Sequence, residues 1–286
     1  SCLVGSEMCI RDRLSEPGKT WQAWMRLSNG NAYPQFDRAR DARGMAIKLL
    51  DVPGAKLMSS PRHAGDQDFV MFNHPAFFVR DVAEYRSNFA AQADGKKALA
   101  FFPSWDPRTW EIRHLIIALK TLSPAPSSPV ETTYNSIAPF KLGPHNIKYR
   151  VIPTPENCPA YAIPKPNTDL PNFLRSALYQ QLSLDRMPAC FALQVQRQNP
   201  DYYMPIEDPS VEWDEKIAPF ETVADIRLPA QDFDSTEQNL FCDNLSFNPW
   251  HALPEHRPIG GINRLRKAVY EAVSVYRHDR NAALNQ

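Results

Sequence analysis

No apolar run in this chain approaches the roughly 20 residues that a membrane-spanning helix needs. Nor is there a charge excess: Lys plus Arg and Asp plus Glu each number 32 among 286 residues, so the net charge is zero. A balanced chain has no basic field to attract nucleic acid. Cysteine is sparse, at five residues. Cys2, Cys9, Cys158, Cys190 and Cys242 show no CxxC spacing, which indicates neither a zinc site nor a disulfide framework. Reduced thiols and a cytoplasmic location are the expectation. No export signal, internal repeat, G-x-S-x-G elbow, P-loop or dinucleotide fingerprint is visible. No histidine precedes His63.

Glycine is also scarce, at 10 residues against 27 prolines. The prolines concentrate in Ser123–Pro129 and between Val151 and Pro171, with hydrophobic strands on both sides. They read as extended connections wrapping one core. At 286 residues and 43% hydrophobic, the chain has ample material for that core. Alternation predicts strands near 22–28, 43–50, 67–73, 131–137, 146–152, 190–197 and 222–228. Helical periodicity predicts helices near 80–92, 107–120, 170–184, 235–243 and 263–278. Short-interval strands followed by C-terminal helices predict an α+β fold built on an antiparallel barrel.

The last of these helices carries the clearest pattern. Arg266, Tyr270, Ser274 and Arg277 are spaced four, four and three apart, so they share one face. Leu265, Val269, Ala272 and Tyr276 form a second, apolar face, and Asn263 after the Pro258–Gly261 turn reads as the N-cap. A guanidinium one turn from a phenol favours phenolate, because it stays charged and stabilises a nearby anion. A phenolate of this kind is a good axial ligand for ferric haem.

Three further segments agree with it. They are Trp24-Met25-Arg26-Leu27-Ser28, Arg43-Gly44-Met45-Ala46-Ile47-Lys48, and Asn73-His74-Pro75-Ala76-Phe77-Phe78-Val79-Arg80-Asp81. In this order they resemble the haem catalase superfamily, whose members carry R-G-x-A-x-K on one strand and N-x-P-x-F-F-x-R-D after the next. The middle of the chain and Pro205–Pro209 are more similar to the short bacterial catalase-like subgroup. The resemblance runs from Trp24 to the end and implies a barrel with the C-terminal helix under the haem. It implies haem b as cofactor, Tyr270 as the iron's axial ligand, Arg266 tuning it, and Arg26 and Arg277 on the propionates. It also implies Asn73 as the distal amide that holds peroxide, Ser28 orienting a distal histidine, and Phe77 and Phe78 against the porphyrin. His74 is expected to be structural, as are Glu207-Asp208 and Asp214-Glu215. His251 and His256, five apart with Pro254 between them, are expected to cap a loop or core rather than bind metal. Full-length catalases follow the haem tyrosine with x-D-T. Here Glu271-Ala272-Val273 follows Tyr270, so the proximal hydrogen-bond network differs.

Residues Glu7-Met8-Cys9-Ile10-Arg11-Asp12-Arg13 resemble a translated transposon end from sequencing-library preparation. Residues 1–13 are accordingly expected to be a non-native segment that packs against little, with 14–286 a single catalase-like haem domain lacking its N-terminal part and the distal histidine. The functional expectation is hydrogen peroxide breakdown of the catalase or peroxidase type, a response to oxidative stress. A homo-oligomer is compatible with it; a nucleic-acid partner is not. The alternatives are a fatty-acid hydroperoxide isomerase or lyase on the same scaffold, a non-catalytic haem-binding barrel, and a barrel without haem.

Overall fold

A computed structural model describes residues 2–10, 18–31, 34–58, 64–93, 101–102, 106, 108 and 110–284, with 2–10 described as backbone only. Among these residues nine antiparallel strands form one sheet: β1 (Cys2–Ile10), β2 (Thr20–Asn29), β3 (Arg43–Leu49), β4 (Gln67–Phe72), β5 (Tyr134–Ser136), β6 (Phe140–Leu142), β7 (His145–Pro153), β8 (Ala189–Arg197) and β9 (Phe220–Leu228). The order is β5-β4-β3-β2-β1-β9-β8-β7-β6, and a further β5–β7 pairing curls the sheet into a barrel. Five α-helices surround it: α1 (Val82–Ala93), α2 (Ile112–Thr121), α3 (Phe173–Tyr179), α4 (Thr236–Asn244) and α5 (Gly261–Leu284).

Alternation decides which side chains fill the barrel. Ala23, Met25 and Leu27 of β2, Met45, Ile47 and Leu49 of β3, and Met71 of β4 all point inward, joined by Tyr134, Val151, Phe191, Leu193, Ile226 and Leu228. The intervening residues of β2 to β4 face outward, towards α5. Cross-strand pairing aligns them in two rows, Arg26–Ala46–Val70 and Ser28–Gly44–Phe72.

Three expectations change. The backbone of 2–10 does not stand apart: it pairs with β2 and β9, and so occupies a place in the ring. The rest of the 1–13 segment lies outside the described residues. A backbone ladder can form with many side chains, so this pairing leaves the origin of the segment untouched. Second, α5 begins at Gly261, and Asn263 is no cap. The Asn263 amide is fully buried and donates to the carbonyls of Pro139 (2.8 Å) and Ile259 (3.0 Å), while its Oδ1 accepts from Arg266. The turn before it needs Gly260 (φ +86°), where a Cβ would lie 2.7 Å from the Ile206 carbonyl. Third, Cys158 and Cys190, 32 apart in sequence with Cα atoms 5.7 Å apart, form a disulfide, and Cys242 is also disulfide-bonded. Separated cysteines carry no spacing signal for such a bond, because the fold brings them together. The pairing removes the reduced-thiol premise of a cytoplasmic expectation. No helix among the described residues is long and apolar enough to cross a membrane.

Candidate functional site

A cavity of about 430 Å³ lies between the outer face of β2–β4 and α5. The barrel supplies Arg26, Ser28, Gly44, Ala46, Val70 and Phe72; α5 supplies Val269, Tyr270, Val273, Ser274 and Arg277; Ser246 and Phe247 close one side. A Cβ on Gly44 would come within 2.8 Å of Ser28 Oγ, so glycine leaves this wall open.

Arg26 and Arg277 are both half-buried and both line the cavity. Neither forms an ion pair among the described residues. Arg277 donates to the Leu245 carbonyl (2.7 Å) and Ser246 Oγ (3.2 Å), and its Nε is buried without a partner. Burial pushes the pKa of each guanidinium down. Arg277 is lowered further by Arg26, while Asp243 pushes both back up. Two like charges are thus held at one cavity without a carboxylate in contact, an arrangement that a doubly anionic ligand would relieve. Tyr270 is half-buried in the same wall.

Arg266 is 6% exposed. Its guanidinium sits over the Tyr270 ring, 5.4 Å from the centroid, and donates to Asn263 Oδ1 (3.0 Å) and the Val70 carbonyl (3.4 Å). Its hydrogen bonds therefore go to the scaffold, not to the phenol oxygen. The second face of α5 is only partly buried: Leu265 and Val269 pack, whereas Ala272 is exposed and Tyr276 is 65% exposed.

The structure does not bring Asn73 to the cavity. Its Oδ1 accepts from the Arg43 amide (2.8 Å), and its Nδ2 donates to the Thr121 carbonyl (3.1 Å) and Ser123 Oγ (2.9 Å). Strand parity puts Phe72 on the cavity side instead. Phe77 and Phe78 lie behind it, with the Phe72 and Phe77 rings edge to face at 6.2 Å. Ser28 is exposed and borders both this cavity and a neighbouring one of about 230 Å³. No histidine among the described residues lines the main cavity.

His74 is buried, with Nδ1 held by the backbone of Ala76. His251 Nδ1 lies 2.8 Å from Asp68 Oδ2, and Asp68 also holds Lys48 Nζ (2.7 Å) and the Asn248 amide (2.8 Å). His256 meets the Gln67 amide instead (2.9 Å), so the two histidines are not a metal pair. This buried network anchors the segment that presents Ser246 and Phe247. Glu207 accepts from the Gly261 amide at the start of α5 (2.6 Å), a scaffold role. Sequence reasoning missed Val70, Phe72, Ser246 and Phe247. The period-2 alternation of β4 carried the signal for the first two; nothing local marked the others.

Among solved structures, a fungal catalase superposes with a TM-score of 0.71, covering 97% of this chain and 57% of that chain at 19% identity. Catalase A from Saccharomyces cerevisiae superposes with a TM-score of 0.67, covering 97% of this chain and 59% of that chain at 15% identity. This chain has a catalase fold. A curated relative, the catalase easC of Arthroderma otae, is 32% identical over 104 residues, 35% of this chain and 19% of that protein. No protein-family model matches. The chain thus spans little more than half the length of the solved catalases and about a fifth of the curated relative. The cavity brings Arg26 of β2 together with Tyr270 and Arg277 of α5.

Proposed function

We infer that this chain is a haem-binding, hydroperoxide-processing protein of the catalase-like type. One observation carries the reading: two half-buried guanidiniums, without carboxylate partners among the described residues, share a cavity with a tyrosine on α5. The residues fit haem b. A volume of about 430 Å³ is within the range of cofactor sites, roughly 300–1,000 Å³. Arg26 and Arg277 suit two propionates, the Tyr270 oxygen is the available iron ligand, and Gly44 and Ala46 give the ring a flat wall. Haem, when bound, supplies the redox-active iron for peroxide chemistry. Arg266 keeps a fixed positive charge over the Tyr270 ring, 5.4 Å from its centroid.

On the barrel side, Phe72 and Val70 exclude water, and the described lining offers no histidine to move a proton. Loss of such a group costs about 10²–10⁴-fold in rate, so slow hydrogen peroxide turnover is expected of this chain. The same apolar lining favours the second reading, an organic or fatty-acid hydroperoxide as substrate. A non-catalytic haem barrel is the third. The non-native origin of residues 1–13, and a bacterial relationship, stay with this proposal.

Haem titration of the purified chain tests it. A Soret band at one haem per chain is expected, with a ferric phenolate charge-transfer band that Tyr270→Phe abolishes. Arg26→Gln with Arg277→Gln should weaken uptake at least about tenfold, the scale of lost charge-assisted bonds. No saturable uptake, or a charge-transfer band retained in Tyr270→Phe, overturns the reading. Oxygen evolution from hydrogen peroxide, measured beside consumption of an organic hydroperoxide, then separates the three alternatives.

A further inference from the structure

A second cluster, away from the cavity, combines two carboxylates and an imidazole. Glu84 lies in the first turn of α1; Glu111 and His114 stand three apart at the start of α2. Glu111 is the N-cap residue of α2, and its side chain meets that of His114 three residues on. One ligand atom from each of the three lies within 4.8 Å of the others.

His114 supplies the independent sign. It is 5% exposed, and its Nδ1 is shielded from solvent without a well-aligned hydrogen bond. Yet Glu111 Oε2 is 2.9 Å away and Glu84 Oε2 is 3.5 Å away. The ring nitrogen thus lies close to both carboxylates without a well-aligned hydrogen bond to either. Ligands around a tetrahedral zinc ion, with bonds near 2.0–2.2 Å, sit about 3.3 Å apart, and the observed 2.9 and 3.5 Å bracket that spacing.

Arg80 completes the arrangement from outside. Its guanidinium holds Glu84 Oε1 and lies 3.7 Å from Glu111 Oε1, and its backbone amide donates to Glu84 Oε2 (2.6 Å), the oxygen that also lies 3.5 Å from His114 Nδ1. Outer partners of this kind fix the orientation of metal-binding carboxylates.

We propose that Glu84, Glu111 and His114 bind a divalent transition-metal ion of the zinc type, with water in the fourth position. The ion ties the start of α1 to the start of α2. It thereby steadies the helix whose Tyr85 packs with Phe77 behind the cavity. The site is independent of haem binding.

The test uses the full chain, stripped with chelator and titrated with Co²⁺, then Zn²⁺. One Co²⁺ per chain with visible d–d absorption is expected, displaced by one Zn²⁺, together with a raised Tm. His114→Gln and Glu84→Gln, each confirmed as folded by far-UV circular dichroism, should weaken Co²⁺ binding more than about tenfold, the lower bound for losing even an outer partner. The Glu84 side chain is less buried than that of His114 (17% against 6% exposed), so its variant tests the site even where His114→Gln fails to fold. Absence of the Co²⁺ spectrum overturns the proposal, as does undiminished binding in either folded variant.

Discussion

Phe72 and Asn73 are adjacent, and the end of one strand sends them to opposite sides. The Asn73 amide joins the end of β4 to Arg43, Thr121 and Ser123. Asn73→Ala should therefore cost about 1–3 kcal/mol, the penalty of buried groups left unpaired, seen as a lower urea midpoint, with haem uptake unchanged. Phe72→Asn acts the other way: it places an amide in the cavity and should raise oxygen evolution from hydrogen peroxide roughly tenfold, less than the about 10²–10³ of a fully preorganised donor. Unchanged turnover would remove Phe72 from the proposed substrate face. At Arg266 the same reasoning predicts a mixed effect. Arg266→Met leaves Asn263 Oδ1 and the Val70 carbonyl without their donor, at about 1–3 kcal/mol. It should also shift the ferric phenolate band of the haem-loaded chain, because the charge over Tyr270 is gone. A stability loss without a spectral shift would make Arg266 scaffold only.

Lys148 shows how an element stores a pH dependence. It lies in β7, buried to 5% exposure, with Nζ donating to the Val211 carbonyl (2.8 Å) and stacked over Trp213. Burial pushes its pKa down to about 8, against a weaker upward push from Glu212 and Asp208. The unfolded chain keeps this proton up to its ordinary pKa near 10.5, so between about pH 8 and 10.5 the unfolded state binds more protons, and wild-type stability rises with pH across that window. It is lost again as pH falls through about 8. Lys148→Met removes this dependence. The stability gap between variant and wild type should move by about 3 kcal/mol in favour of wild type from pH 7 to pH 10.5, measured by urea unfolding at both values. A constant gap would show that the amine is solvated in the native protein.

At the scale of the whole molecule, the disulfide joins the stretch after β7 to β8 across 32 residues. Its loop-closure contribution is roughly 3–4 kcal/mol. Cys158→Ser with Cys190→Ser should lower stability by that order, and thiol titration of the unfolded, unreduced wild type should find both cysteines blocked; two free thiols at these positions would sink it. Alternation in β2, β3 and β4 and the 3.6-residue period of α5 were legible in the chain, because both are local consequences of backbone geometry. So was the grouping of Tyr270 with Arg277 on one helix face. Helix and strand ends, the Asn263 role and the disulfide were not: each depends on a partner far away in sequence, such as Pro139 for Asn263 or Cys190 for Cys158. The sequence by itself determined an antiparallel barrel with a tyrosine-bearing C-terminal helix, since period and order survive any packing. Only the tertiary structure decided that Arg26 meets Arg277 across the cavity, that Phe72 rather than Asn73 faces it, and that Glu84 meets His114. Those meetings are set by strand register and helix docking, which sum many weak contacts that no short stretch of sequence contains.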